Sequence, residues 1–272
     1  MSVAIVGYGY VGKALHSFFG DSVAAVYDPQ YKKIPGYPQV KVTQNAVNKC
    51  DLVVICVPTL ESKDGSCDTS IVEQSVKWLS TPLILIKSTV EPGTTLKLSK
   101  KYGKELVFSP EYIGEGKYFT PPWRYPHPED MKMHTFQIFG GPRQVTKKVV
   151  DLFTRIMGPH VSYMQTDSTT AEIVKYMVNS WGAMKVTFAN EWYDICEAHG
   201  VDYREARELW ALDSRVEKMH TLVFPDKRGF SGKCFPKDIS AIIASAKKRN
   251  YVPKLLETVK SVNGEFVRKS VR

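Results

Sequence analysis

The first 28 residues constrain the fold more than any other stretch of the chain. Ser2 to Val6 is a short apolar run, Gly7-Tyr-Gly-Tyr-Val-Gly12 follows it, Lys13 to Phe19 reads as helix, and Val23 to Tyr27 is a second apolar run closed by Asp28. A strand, a glycine turn, a helix, a second strand and an acid at this spacing are what a dinucleotide-binding βαβ unit requires. Gly7 makes the tight turn, Gly9 lets the backbone approach a pyrophosphate, and Gly12 lets the helix pack on the strand, so that the helix N-terminus faces the phosphates. Asp28 is expected to accept hydrogen bonds from the adenosine ribose hydroxyls and to repel a 2′-phosphate, which favours NAD over NADP. A plain glycine turn is the alternative, and the agreement of strand, helix and acid weighs against it.

The α/β alternation continues. Leu52 to Val57 is an apolar strand closed by Pro58-Thr59, Leu60 to Asp68 a polar loop, Ser70 to Leu79 a helix, and Leu83 to Lys87 and Leu106 to Phe108 further strands. Strands this apolar are usually buried on both faces of a parallel sheet. The expected fold class is therefore α/β, a Rossmann-like, mostly parallel sheet. Ser88 to Thr95 and Ser109 to Gly116 follow strands, where such a sheet puts its ligand loops, so Thr89, Glu111 and Glu115 are site candidates. The competing readings are a cap or turn residue for Thr89 and solvated loop charge for the glutamates. Lys117 to His134, with four prolines, reads as an extended loop in which His127 and His134 are solvated. Phe136 to Phe139 is a strand, Val145 to Met157 an amphipathic helix, and Val161 to Met164 the last strand of a first domain spanning 1–166.

At Asp167 alternation gives way to sustained helix, and 167–272 reads as an all-helical central domain with one long helix. Thr169 and Glu172 suggest a capping box, and Ile173, Met177, Trp181, Met184, Phe188, Trp192 and Ile195 keep helical spacing up to Gly200. Such a helix is roughly 45 Å long, enough to span two domains or build a dimer interface. Lys175 and Asn179 share one of its faces and can point into a cleft, the alternatives being a surface charge and a packing residue. Val201 to Met219 is expected to be further helix, with Arg204, Arg207 and Arg215 able to meet anions, and Asp238 to Lys248 and Val252 to Val271 close the chain as helices.

Gly229-Phe-Ser-Gly-Lys-Cys-Phe-Pro-Lys-Asp238 carries the most reactive group. Glycines at 229 and 232 leave room for a bound molecule near the main chain, and Lys233 and Lys237 favour the thiolate of Cys234. If Pro236 opens a helix, Asp238 lies on the same side as Cys234. A thiol with an acid nearby suits a covalent intermediate that is later hydrolysed, whereas the alternative is a buried, inert thiol.

The net charge of +9 comes from lysines and arginines scattered along 272 residues, which favours a soluble anion as ligand over nucleic acid. Five cysteines without CxxC spacing argue against a disulfide framework or a metal site. No secretory signal and no membrane-length apolar run are present, so the expectation is a cytoplasmic protein.

Taken in order, GYGYVG at 7–12, CVPT at 56–59, KSTVEPGTT at 87–95, SPEYIGEG at 109–116, AEIVKYMVNSWGAMKVTFANE at 171–191 and GFSGKCFPKD at 229–238 resemble the nucleotide-sugar 6-dehydrogenases, the family of UDP-glucose and GDP-mannose dehydrogenases. LLETVKSVN at 255–263 looks like the end of that family's central helical domain. The resemblance implies oxidation of a sugar C6 alcohol to the carboxylate with two NAD in turn, most simply on UDP-glucose. Cys234 would capture the aldehyde as a thiohemiacetal that becomes a thioester, Lys175 and Asn179 would stabilise the oxyanion, Asp238 with Thr89 would hold the water, and Glu111 would be the general acid/base. The resemblance places Tyr10, Val11, Val57, Pro58 and Thr59 with the glycines, Asp28, Thr89 and Glu115 on the cofactor, and Glu111, Tyr112, Ile113, Glu115, Lys175, Asn179 and Gly229 on the sugar nucleotide. It also implies a homodimer through the long helix. Lys233 and Ser109 depart from the family's usual small residue and asparagine, and the expectation is a short form lacking the C-terminal nucleotide-binding domain. Two other readings follow: an NAD-binding relative that is catalytically impaired or regulatory for want of that domain, and a β-hydroxyacid-type dehydrogenase with no use for Cys234.

Overall fold

The computed structural model describes residues 1–113 and 131–269; Glu115, His127 and most of the expected proline-rich loop lie outside the described residues. The chain forms two compact units, Met1–Leu60 with Asp68–Lys175, and Glu61–Cys67 with Tyr176–Arg272.

The first unit is a seven-stranded sheet with helices on both faces. In chain order it runs β1 (Val3–Val6), α1 (Tyr10–Phe19), β2 (Val23–Tyr27), α2 (Gln44–Val47), β3 (Leu52–Ile55), α3 (Ser70–Trp78), β6 (Ile84–Ile86), α4 (Thr94–Tyr102), β7 (Leu106–Phe108), β8 (Phe136–Gly140), α5 (Arg143–Met157) and β9 (Ser162–Thr166), with the short strands β4 (Leu60–Glu61) and β5 (Cys67–Asp68) between β3 and α3. The strand order is β2-β1-β3-β6-β7-β8-β9. Every pairing is parallel except β7 with β8. The chain leaves β1 towards β2 on one side and β3 on the other, which makes the ends of β1 and β3 the switch point where such sheets open a crevice.

Strand residues alternate between two cores. Ile5, Val54 and Leu85 face Leu15, Phe18, Phe19, Phe139 and Phe153, while Ala4, Val53, Ile55, Ile84 and Ile86 face Val72, Val76 and Leu98. Burying these aliphatic chains at about 1.5–3 kcal/mol each is what commits this sequence to a two-sided sheet.

Three elements differ from the sequence reading, the first of them, at 61–67, belonging to the second unit. The polar stretch 60–68 is the two-stranded β4–β5 hairpin, closed by Ser62 N–H to the Ser66 carbonyl at 2.8 Å and by Asp64 accepting from Ser66. Helix α4 follows the loop at 88–93, begun by Gly93 at φ +96°. The long helix α6 (Ser168–Ala198) is capped by Asp167, which accepts from Thr170 N–H at 2.9 Å, so the expected Thr169–Glu172 capping box is replaced. Glu172 is drawn elsewhere: its two carboxylate oxygens accept from Gly93 N–H at 2.5 Å and Thr95 N–H at 2.8 Å, satisfying orphan donors at the start of α4.

The second unit is helical: α6 from Tyr176 onward, α7 (Tyr203–Trp210), α8 (Phe235–Lys247) and α9 (Lys254–Lys269). The helix expected to reach Met219 stops at Trp210, because Asp213 turns its carboxylate onto Arg215 N–H at 3.0 Å and competes with helix continuation. Arg207 is buried and donates to Thr221 Oγ1 at 2.8 Å and the Lys218 carbonyl at 3.2 Å, and Arg215 is paired with Asp213 at 2.5 Å. Arg207 thus holds structure rather than waiting for an anion, whereas the Arg215 side chain is 87% exposed. The periodic stripe on α6 is the outward side of the helix: Ile173, Met177, Trp181, Phe188, Trp192 and Ile195 are 38 to 63% exposed, while Tyr176, Ala183 and Ala189 are buried. Among the described residues, no helix is long and apolar enough to cross a membrane.

Candidate active site

The glycine turn is shaped by what each position leaves no room for. A Cβ on Gly7, which sits at φ +91°, would lie 2.7 Å from the Cys56 carbonyl, and one on Gly12 would strike the Gly7 carbonyl. A Cβ on Gly9 would meet nothing within 4 Å. Gly7 and Gly12 therefore seal the turn against β3 and α1, and Gly9 leaves its backbone open to a ligand. Asp28, at the end of β2, accepts from Tyr8 N–H at 2.7 Å on one oxygen and from Gln30 N–H at 2.9 Å on the other. A carboxylate has roughly four acceptor sites, so Asp28 holds the turn and keeps lone pairs for ribose hydroxyls. The Tyr8 side chain braces the turn from behind, its hydroxyl 2.5 Å from His16 Nδ1 and its phenol pushed up to about 12 by burial and the neighbouring tyrosines. Burial also lowers the pKa of His16. The open backbone, the acid and the helix N-terminus fit a dinucleotide. Tyr10 and Val11 begin α1 directly beyond this turn.

The loops after β3 and β6 are stitched together. Thr59 Oγ1 donates to the Thr89 carbonyl at 2.8 Å, and Ser88 Oγ donates to the Val57 carbonyl at 2.7 Å. Val57 and Thr59 are buried with Pro58 exposed between them, and Thr89 is half-buried. Thr89 does not cap α4, since Gly93 occupies that position.

The loop after β7 is held more firmly still. Lys175 Nζ donates to the Glu111 carbonyl at 2.5 Å, and the Glu111 carboxylate accepts from Ile113 N–H. Lys175 is 8% exposed, so it is no surface charge. Its ammonium also lies 5.4 Å from the Tyr112 ring. Burial and the Glu111 charge push the Tyr112 phenol up, and Ile113 is buried.

In the second unit, Cys234 occupies the N-cap position of α8, exposed to solvent, with Pro236 in the first turn and the Asp238 N–H bonded to the Cys234 carbonyl at 2.9 Å. The positive end of α8 thus faces any negative charge that develops on the sulfur. Asp238 is 1% exposed and held on both oxygens, by Asn179 Nδ2 at 2.5 Å and Lys237 Nζ at 2.6 Å. Lys237 is thereby committed to Asp238, and Lys233 is the exposed lysine beside the thiol. Gly229, at φ +70°, has no room for a side chain because a Cβ would sit 2.6 Å from Asn263 Oδ1. Asn263 clamps Phe230 through both its N–H and its carbonyl, at 2.6 and 2.9 Å, and so fixes the turn leading to Cys234.

Comparison with known proteins reaches the loops after β3, β6 and β7 and the turn that carries Cys234. A family model described as the UDP-glucose/GDP-mannose dehydrogenase family, NAD binding domain, matches residues 37–121, and the model for the same family's central domain matches residues 169–265. The chain belongs to the UDP-glucose/GDP-mannose dehydrogenase family. Its cofactor is accordingly NAD. UDP-glucose 6-dehydrogenase AglM of Haloferax volcanii is 28% identical over 97% of this chain and 69% of its own length. UDP-glucose 6-dehydrogenase TuaD of Bacillus subtilis is 30% identical over 80% of this chain and 47% of its own. This chain thus spans less than half of TuaD and about two thirds of AglM. Among solved structures, a UDP-glucose dehydrogenase from Pyrobaculum islandicum superposes with a TM-score of 0.79 at 23% identity, covering 97% of this chain and 68% of that one. A UDP-D-ManNAc dehydrogenase from Pyrococcus horikoshii gives 0.78 at 24%, covering 98% and 69%. Both share the fold.

Two residues of this dehydrogenase chain carry more of the site than their sequence context announces. Lys87 ends the apolar run of β6 and is 3% exposed, its pKa pushed down to about 8 mainly by burial, with Glu111 opposing and Lys175 adding to the shift. A lysine after a strand ordinarily marks the return to solvent, so only the apolar Leu83–Ile86 run before it hinted otherwise. Glu172 had a sufficient local explanation as a cap, and nothing in the sequence joins it to Gly93.

Proposed function

We propose that this chain is an NAD-dependent nucleotide-sugar 6-dehydrogenase that oxidises the sugar C6 alcohol, UDP-glucose being the first substrate to test, to the carboxylate in two steps through Cys234. The observation that carries this reading is the arrangement around α8: an exposed thiol at the helix N-terminus, with a buried acid one turn on that is fixed by Asn179 and Lys237.

NAD, when bound, accepts the hydride lost from C6 at each oxidation. The remaining roles fall to side chains. In the first oxidation the alcohol loses its proton and a hydride to give the aldehyde. The Cys234 sulfur then adds to the carbonyl carbon while the carbonyl oxygen gains a proton, forming a thiohemiacetal. Loss of a second proton and hydride leaves a thioester, and water cleaves its C–S bond, releasing the acid and the thiol. Lys175 and Asn179 supply donors to the oxygen that becomes negative. An ammonium has three donors, and Lys175 already directs one onto the Glu111 carbonyl. Asp238 with Thr89 orients the water, and Glu111 moves its proton. Tyr112, Ile113 and Gly229 line the sugar nucleotide, and Tyr10, Val11, Val57, Pro58 and Thr59 border the cofactor. In this reading 1–166 is the NAD domain and 167–272 the dimerisation domain, two copies pairing through α6. Five free cysteines suit a reducing compartment such as the cytoplasm.

The test is NADH formation against UDP-glucose, UDP-N-acetyl sugars and GDP-mannose. Two NADH per sugar, with acid formation abolished in Cys234→Ala, is the expected result. Calorimetric NAD binding without turnover on any of these sugars would sink the reading, and one NADH per substrate, insensitive to Cys234→Ala, would replace it with a two-electron dehydrogenase.

A further inference from the structure

Two buried ammonium groups, from different elements, hold consecutive peptide carbonyls of the turn that carries Glu111. Lys87 Nζ, at the end of β6, donates to the Pro110 carbonyl at 3.2 Å and to Ser109 Oγ at 3.1 Å. Lys175 Nζ, on α6, donates to the next carbonyl, that of Glu111, at 2.5 Å. The Glu111 carboxylate then closes the turn on Ile113 N–H. Nothing in the turn's own sequence fixes it in this way. Pro110 lacks an N–H to bond, and Ser109 is fully buried.

We propose that Lys87 is a positioning residue for the reaction argued above: its buried ammonium bolts the 109–113 turn from beneath and so sets where Glu111 presents its carboxylate. The burial of a lysine is costly, and it is tolerated here because two acceptors and a nearby carboxylate receive it. The groups that face Lys87 are Glu111 on its own loop, Lys175 on α6 and Cys56 beyond β3. Glu111 favours the ammonium and Lys175 disfavours it. Charge-assisted bonds are about twice as strong as neutral ones, so loss of the Lys87 proton slackens the turn without breaking it. With its pKa pushed down to about 8, that loss falls within the range where the enzyme can be assayed.

This inference rests on the proposed reaction for its catalytic meaning, but its structural content is testable without substrate. Amide exchange at Ile113 is followed in the full chain, corrected for intrinsic base catalysis, in wild type, Lys87→Met, Lys87→Arg and Ser109→Ala. Protection in Lys87→Met should fall about tenfold, the worth of a lost charged hydrogen bond, and Ser109→Ala should lose less. In wild type, protection should step down between pH 7 and 9, and in Lys87→Arg the step should vanish because the guanidinium stays charged. Unchanged Ile113 protection in a folded Lys87→Met overturns the proposal, as does a pH step in Lys87→Arg equal to that of wild type. Should Lys87→Met fail to fold, the wild-type step and Ser109→Ala decide. Where wild type turns over, Lys87→Met should lower kcat about tenfold or more with KM and calorimetric NAD affinity little changed. A change confined to KM would also count against the proposal. If no sugar nucleotide is oxidised by wild type, the dehydrogenase reading falls while the exchange data still judge Lys87.

Discussion

Lys87 illustrates how a single side chain can cost stability and supply order at once. Its pKa is depressed by folding, from the ordinary 10.5 to about 8. Between those values the unfolded chain binds more protons than the folded one, so folding stability rises with pH across that window and is lost again as pH falls through the folded value. The shift corresponds to about 3 kcal/mol. Urea unfolding of wild type and Lys87→Met from pH 7 to 10.5 should therefore show wild type gaining on the variant as pH rises, by an amount of that order; parallel curves would mean that the amine is solvated. Asn179 makes the complementary case. It was legible as a face-mate of Lys175, but its partner Asp238 lies 59 residues away and no local pattern reveals the pair. Asn179→Ala leaves one oxygen of a buried carboxylate without its donor and should cost about 1–3 kcal/mol in thermal or urea unfolding. The steric demands of the glycine turn, by contrast, were readable, because the restrictions at positions 7 and 12 are backbone restrictions that sequence states directly.

At the scale of elements, what was legible followed from how many forces agreed. Strands β1, β3, β6 and β7 are apolar at every position, so burial and strand propensity give one answer. Helix α4 was missed because its first turn, Thr94-Thr95, is β-branched and its start is set from outside, by Glu172 on α6. That carboxylate is buried, and burial raises its pKa while the Gly93 and Thr95 donors pull the other way. A raised folded-state pKa gives stability that is present in acid and lost as pH rises through the folded value. Glu172→Gln, which keeps the shape and one acceptor, should thus gain on wild type in unfolding free energy as pH is taken from 4 to 7. Glu172→Ala should lose about 1–3 kcal/mol at neutral pH, since it strands two amide donors. If Glu172→Ala were neutral, α4 would owe nothing to α6.

Over the whole molecule, the question left by the helical pattern is what covers the outer face of α6. The stripe Ile173, Met177, Trp181, Met184, Phe188, Trp192 and Ile195 advances by 4, 4, 3, 4, 4 and 3 residues. This is the eleven-residue rhythm of about 3.67 residues per turn, which stays on one side of a nearly straight helix. Periodicity identified the apolar rhythm but could not tell that Met184 packs on the core of Ala183, Phe230 and Ile239, because it has no means of telling a face that packs on its own unit from one that packs on another chain. The structure leaves six of these side chains 38 to 63% exposed along roughly 33 Å of helix. Contiguous exposed apolar residues of this size are the kind of patch that marks an interaction surface. A second copy laying the same stripe across it would bury both at about 1.5–3 kcal/mol per large side chain, and a self-complementary face closes as a two-fold dimer. Sedimentation should therefore give twice the chain mass for wild type. Trp181→Glu combined with Trp192→Glu, both on the outward face, should give the single mass with calorimetric NAD affinity retained. A wild-type monomer at micromolar concentration would assign the stripe to some other partner.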